Sequence, residues 1–308
     1  SFEVGRILIN KGYKVCGVRY NTEINRAEHY IASTVEELIP SIGSKYIQSY
    51  TVDGFKAIDR KQKYLVTGTP CQIDSFRRYI RKFKKEENFI LMDFFCHGVP
   101  SMLMWKKYIK EVKKTIGKIT YLSWRNKVIN CHDMKTMIID NEKIDWHDSY
   151  NLLVKGEKGY YNSRLSQGDV FYRLFLSDTC LGKACYEKCK FKYDRSSADI
   201  RIGDLWGRMY KHNEDGVSAA VAFTQRGWEL LHECNLEIVE HSFDVVAEGQ
   251  MKEMPICDKR MKILLQRDDL DINQIYRQLL IALKYRKVMN RLKHPVRTMK
   301  NILKKIGK

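Results

Sequence analysis

Two stretches of this chain repeat one local plan, and that plan narrows the fold more than any other feature. KYLVT (63–67) runs into GTPCQIDSFRRYIRKF, and FILMDFF (89–95) runs into CHGVPS and then MLMWKKYIKEVKK. Each unit is a short continuous apolar run, a loop, and an amphipathic helical pattern. A strand that runs through a loop into a helix, twice over, suits an α/β core. Thr69 reads as an N-cap with Pro70 as the first helical residue, and Ser101 caps the second helix. The expected fold class is α/β, a mixed α+β arrangement in which both loops reach the same edge of a sheet. Each of those loops carries a cysteine, Cys71 or Cys96.

The remaining elements are read around this core. Residues 2–11 suit a helix, Lys14–Arg19 a strand, and TVEELIPSI a short helix capped by Ser33 or Thr34. ITYLSW and MKTMIID alternate as strands do, 160–178 reads as helix, and ADIRIGDLWG as strand. VSAAVAF is a strand leading into a helix from Thr224 or Gln225. Three segments follow: 1–130, an N-terminal α/β portion; 131–255, a portion with the cysteine cluster and the GDLWG strand; and 256–308, a basic helical tail. Beginning at Ser1 with helix from Phe2, the chain reads as a piece of a longer or processed protein.

At 308 residues, 44% hydrophobic and 30% charged, the chain can bury a full core and is not a disordered polymer. Its net charge of +18 calls for an anionic partner: nucleic acid, an acidic membrane, an acidic electron carrier or a phosphate-rich cofactor. No signal peptide or long apolar run is seen, so the expected location is the cytoplasm. From Lys284 to Lys308 stand ten Lys or Arg and no acid, interleaved with Val288, Leu292, Val296, Met299, Ile302, Leu303 and Ile306. Pro295 divides the tail into two helical segments. A solvated helix pair is the bland reading, an anionic membrane surface the sharper one, and nucleic acid the weakest.

Nine cysteines are too few for a disulfide framework of this length and too many to pass over. Cys16, Cys131, Cys234 and Cys257 stand alone and read as packing. Cys71 falls at the second residue of its helix, where backbone N–H groups favour thiolate. Cys96 precedes His97, and Cys180, Cys185 and Cys189 crowd into ten residues. Cys71, Cys96, Cys185 and Cys189 together could supply four thiolates. Spacing alone leaves an iron–sulfur cluster, zinc and no metal all open. Asp199 and Asp204 are expected on one strand face, as paired acids or as partners of Arg195 or Arg201. Gly43, Ser44, Lys45 and Tyr46 offer amide, hydroxyl, ammonium and phenol to a phosphate or ring.

GSKYIQS (43–49), GTPCQI (68–73), DFFCHGVPS (93–101), WRNK (124–127), CYEKCKFKYDRSSADIRIGDLWG (185–207) and GVSAAVAFT (216–224), in this order, resemble the beta subunit family of coenzyme F-420 hydrogenases and dehydrogenases, particularly its C-terminal domain. The resemblance implies a flavin- and iron–sulfur-dependent oxidoreductase. It implies a 4Fe-4S cluster on Cys71, Cys96, Cys185 and Cys189, with FAD or another flavin nearby and a deazaflavin or other hydride donor. Gly43, Ser44, Lys45, Tyr46, Thr69 and Arg195 match motif positions for cofactor binding, and His97, Lys127 and Asp204 match positions near the reacting centre. Ferredoxin-like acidic proteins are the expected electron carriers. Relatives beside polysaccharide-assembly enzymes suggest a role in polysaccharide biosynthesis, peripheral to the inner membrane face. Two departures stand out. CYEKC has three intervening residues where two are usual, which makes Cys180 a substitute ligand to consider, and no ferredoxin-like CxxCxxC segment is present. The rival readings are a zinc-bearing, non-catalytic binding protein for membrane or nucleic acid, and a degenerate member that serves as an assembly partner.

Overall fold

The apolar runs at 63–67 and 89–95 become neighbouring parallel strands in the middle of a sheet, because each is apolar on both faces and must be covered twice. In the computed structural model, which describes residues 1–125, 128–131, 139–143, 149–213 and 215–293, the strands are β1 (Lys14–Asn21), β2 (Arg26–Ala32), β3 (Ser49–Tyr50), β4 (Tyr64–Thr67), β5 (Phe89–Phe94), β6 (Ile119–Ser123), β7 (Val128–Cys131), β8 (Ile139–Lys143), β9 (Asn151–Gly156), β10 (Gly159–Arg164), β11 (Ile200–Asp204) and β12 (Ser218–Ala222). Among the described residues the large sheet has seven strands in the order β12-β11-β5-β4-β1-β2-β3. Its centre, β1-β4-β5-β11, is parallel. The expected α/β class is therefore met.

Helices Phe2–Asn10 and Gln225–Glu233 cover one face, with Val4, Leu8, Leu230 and Leu231 against Val15, Leu65, Met92 and Ile200. Helix Pro70–Lys82 covers the other, placing Ile73, Phe76 and Ile80 on Tyr64, Val66, Phe89 and Leu91. A third apolar cluster joins the sheet β10-β9-β6 to helices Met102–Ile116, Val170–Leu176 and Ile272–Lys293. The large sheet takes strands from both sides of residue 130. Among the described residues, no helix is long and apolar enough to cross a membrane.

Local signals hold well around the two repeated units. Thr69 precedes Pro70 and its N–H donates to Gln72 Oε1 at 2.9 Å, while Ser101 Oγ accepts the Leu103 N–H. Thr34 and Thr224 cap their helices through Glu37 N–H and Gly227 N–H. One expectation is corrected. Residues 160–178 are not a single helix, because Gly156 and Gly159 bracket a two-residue turn that folds 159–164 back on β9. Helix begins only at Val170, where Asp169 Oδ1 accepts the Tyr172 N–H. MKTMIID is described only from Ile139, and Lys127 and the Pro295 segment lie outside the described residues.

The middle of the large sheet carries charges with no exposed surface. Arg201 of β11 forms two bonds with Asp93 of β5, at 2.7 and 2.8 Å, and both side chains are fully buried. Two of its other three hydrogens go to the carbonyls of Tyr193 and Arg195, at 2.6 and 2.9 Å. Removing one partner of such a pair costs about 3–5 kcal/mol, because the other charge stays buried without a partner. We expect R201M to lose about that much in urea denaturation, and R201M combined with D93L to lose clearly less. Equal losses in the single and double variants would show that the pair is not the source of the effect.

Candidate functional site

The parallel strands β4, β5 and β11 end at one edge of the sheet, where ligands of open α/β sheets bind. Beyond β4, Cys71 is the second residue of its helix, with Thr69 Oγ1 3.2 Å from its sulfur. Beyond β5, the CHGVPS loop turns toward the segment before CYEKC and pairs with it. Gly182 N–H donates to Val99 O and Ser101 N–H to Cys180 O, both at 2.7 Å, and Pro100 bridges Leu181. Gly98 makes this approach feasible: its φ is +141°, and a Cβ there would lie 2.6 Å from Leu181 Cδ1.

This pairing sets Cys96 beside Cys185, and the four expected thiols fall in one electrostatic neighbourhood. Cys96 lies within electrostatic reach of Cys71 and Cys185, and Cys185 within reach of Cys71 and Cys189. Cys185 Sγ also accepts the Val99 N–H at 3.5 Å. Lys192, almost fully buried, donates to Cys96 O and His97 O at 2.7 Å each, so a cation is locked beside the sulfurs. Burial pushes the Cys96 thiol up to about 12, with the Lys192 charge pulling the other way. Burial also raises Cys185, opposed by the Val99 N–H and Lys192. A soft metal binds thiolate, so loading here would release protons.

Among the described residues, no three His, Cys, Asp or Glu side chains are gathered tightly enough to hold a single metal ion. A four-iron cube spreads its ligand sulfurs over four corners and needs a wider ring of thiols than one ion does. The all-thiol donor set, drawn from three loops at one edge, suits such a group.

Cys180 stands apart. It is buried in the apolar cluster under helix Met102–Ile116, and its thiol is raised by burial and then by Asp178. It also lines a cavity of about 190 Å³ with Thr179, Tyr186 and Cys257. Cys16 and Cys234 are buried in packed apolar surroundings.

A second convergence lies beside the thiols. Arg125 of the WRNK segment pairs with Asp204 at 2.7 Å, and its charge acts on the hydroxyls of Tyr46 and Tyr150. Its guanidinium faces the Tyr150 and Trp206 rings, 4.9 and 5.2 Å from their centroids, and those rings stack at 8°. Burial raises the Tyr46 hydroxyl, with the Arg125 charge pulling the other way. Arg125 takes this position with φ +54°, a left-handed backbone that costs a non-glycine residue about 1–3 kcal/mol. Phe175 joins the two groups, its ring 5.5 Å from Tyr46 and 5.0 Å from His97. His97 Nε2 in turn lies 2.8 Å from Asp178 Oδ1, and burial lowers the imidazole more than Asp178 raises it.

Other sequence candidates are placed elsewhere. Lys45 spends its ammonium on the carbonyls of Pro40, Ile42 and Gly43, so it ties down its own loop. Gly43 is exposed with φ +82°. Arg195 is exposed and contributes its carbonyl to Arg201. Asp199 and Asp204 do not share a face. They are five positions apart, so they alternate to opposite sides of the strand. Asp199 is held by Arg77, Arg226 and the Leu91 N–H inside the fold. Lys127 lies outside the described residues. Arg125, Tyr150, Phe175 and Lys192 are not singled out by sequence reasoning. Arg125 and Lys192 do lie inside quoted motifs, WRNK and the 185–207 stretch, as does the tryptophan of GDLWG.

No curated protein matches the chain in sequence. Among solved structures, a chain of the xenon-derivatised F420-reducing [NiFe] hydrogenase complex from Methanosarcina barkeri is similar, with 14% identity and a TM-score of 0.47, over 90% of this chain and 82% of that one. The family described as the C terminus of the coenzyme F420 hydrogenase/dehydrogenase beta subunit matches residues 61–243, more than half of the chain. That span holds all four converging cysteines together with Arg125, Tyr150, Asp204 and Trp206, and the chain belongs to this family.

Proposed function

We propose that this chain is an electron-transferring oxidoreductase subunit that holds a 4Fe-4S cluster on Cys71, Cys96, Cys185 and Cys189 and a flavin against the Tyr46, Arg125, Tyr150, Asp204 and Trp206 surface. The observation that carries the reading is the convergence itself. Motif segments far apart in sequence meet as two adjoining groups, one of thiols and one of aromatic and charged side chains, bridged by Phe175 and His97.

When bound, the flavin would supply hydride chemistry and the cluster single-electron chemistry. The protein's own residues do the rest. Arg125 sets a fixed positive charge on an aromatic wall, where an electron-rich ring or a phosphate would be held. Asp204, close to half exposed, keeps Arg125 oriented. Lys192 fixes the Cys96–His97 backbone and offsets negative charge on the sulfurs. The net charge of +18 suits an acidic electron carrier such as a ferredoxin or a phosphate-bearing hydride donor.

One observation favours a second reading, a family member that keeps the fold without turnover: the three-residue gap in CYEKC, with helix Lys183–Glu187 ending inside it. Purification without oxygen, with iron, zinc and flavin analysis and an absorption spectrum, separates the two. We expect brown protein with stoichiometric iron and flavin. C185S should lose most of its iron, and C180S should keep it. Zinc without iron, or folded protein lacking both iron and flavin, would overturn the first reading.

The flavin surface has its own test. Loss of a charge-assisted contact costs about 1.5–3 kcal/mol, so R125M should weaken flavin binding roughly tenfold to a hundredfold in a fluorescence titration. An unchanged Kd would remove Arg125 from the site.

A further inference from the structure

The helix Ile272–Lys293 carries two apolar rows on opposite sides. Ile272, Ile275 and Leu279 are buried and fasten its first half to the body of the protein. Beyond Leu279, none of its described side chains is buried. Ile281, Tyr285, Val288 and Leu292 nevertheless continue as a row at i, i+4, i+7 and i+11, and they are 67%, 67%, 51% and 68% exposed. At about 100° per residue, this second row falls within about 60° of arc. It sits roughly 150° around the helix from the docked row. The helix cannot turn both rows onto its own protein, so the outer row is shaped for something else.

Charge identifies the occupant. From Ile272 to Lys293 the helix has six Lys or Arg and no acid. Arg277 and Lys284, both exposed, fall on the flank of the outer row. We propose that this face docks on an anionic lipid surface, with the helix lying in the plane of the interface and the outer row entering the acyl boundary. A second copy of the chain would set like charges against each other along a helix that has no acid to offset them. An acidic protein would answer the cations but not a projecting row of Ile, Val, Leu and Tyr, which suits a deformable apolar phase edged by anionic headgroups. Tyrosine is favoured at that boundary. The proposal does not depend on the cofactor reading.

The test uses the full chain and vesicles of phosphatidylcholine, with or without phosphatidylglycerol. We expect sedimentation with the anionic vesicles only, weakened by salt. The I281S/V288S/L292S variant should bind them at least about tenfold more weakly with an unchanged melting curve, since all three side chains are exposed. Equal sedimentation of the two proteins would overturn the proposal, because charge alone would then account for binding. So would failure of the unsubstituted chain to bind, or a dimer that the same three substitutions dissolve.

Discussion

The bond that most of the architecture depends on is the buried pair of Arg201 and Asp93. It locks β11 to β5 in the centre of the large sheet, and the ends of those strands launch Asp204 on one side and Cys96 on the other. The same guanidinium holds the Tyr193 and Arg195 carbonyls and so fixes the segment that follows Cys189. A hydrophobic pair would give comparable stability to the sheet, since replacing buried ion pairs by well-packed apolar groups is often neutral or better. It could not reach those two carbonyls. The charge is therefore best understood as a device for position.

Backbone strain collects in the same region. Arg125, Asp178 and Tyr193 all have positive φ without being glycine. Arg125 makes the ion pair with Asp204, Asp178 contacts His97, and Tyr193 gives its carbonyl to Arg201. Conformations that cost about 1–3 kcal/mol each persist where the surroundings over-determine them. Here each is held by a polar partner, Asp204, His97 or Arg201, so the fold spends stability at the junction of the two groups.

Sequence made the local pieces legible and left the tertiary ones dark. The two strand–loop–helix units, the caps at Thr34, Ser101 and Thr224, and the grouping of Cys71, Cys96, Cys185 and Cys189 rest on short-range signals or on shared motifs. Strand β2 escaped notice because RAEHYIA has no apolar alternation. Its Glu28 is buried against Arg19 and Arg26, and His29 against the Thr67 carbonyl. Lys192 escaped for the same reason, since nothing in KFKYD shows that one lysine is buried and its neighbours are not. Placing Asp199 and Asp204 on one face was an error of period: an odd separation sends strand side chains to opposite sides. The 160–178 helix failed at a glycine-bracketed turn that aromatic content had masked.

The wide spacing of CYEKC takes on a different meaning once the loops are in place. In a compact single-ion knuckle, the turn between two cysteines sets the ligand angle, and one extra residue disturbs it directly. Here the two thiols are positioned by separate elements. Cys185 lies in helix Lys183–Glu187, anchored through Gly182 to Val99 and through its own sulfur to the Val99 N–H, whereas Cys189 comes after that helix has ended. The extra residue between them is absorbed by the end of the helix rather than by the sulfur positions. What sets those positions is the pairing of 180–182 with 99–101, which in turn requires Gly98. The geometry of the thiol group is therefore a tertiary property of three loops, and the local spacing that first drew notice to the cluster is the least constrained part of it.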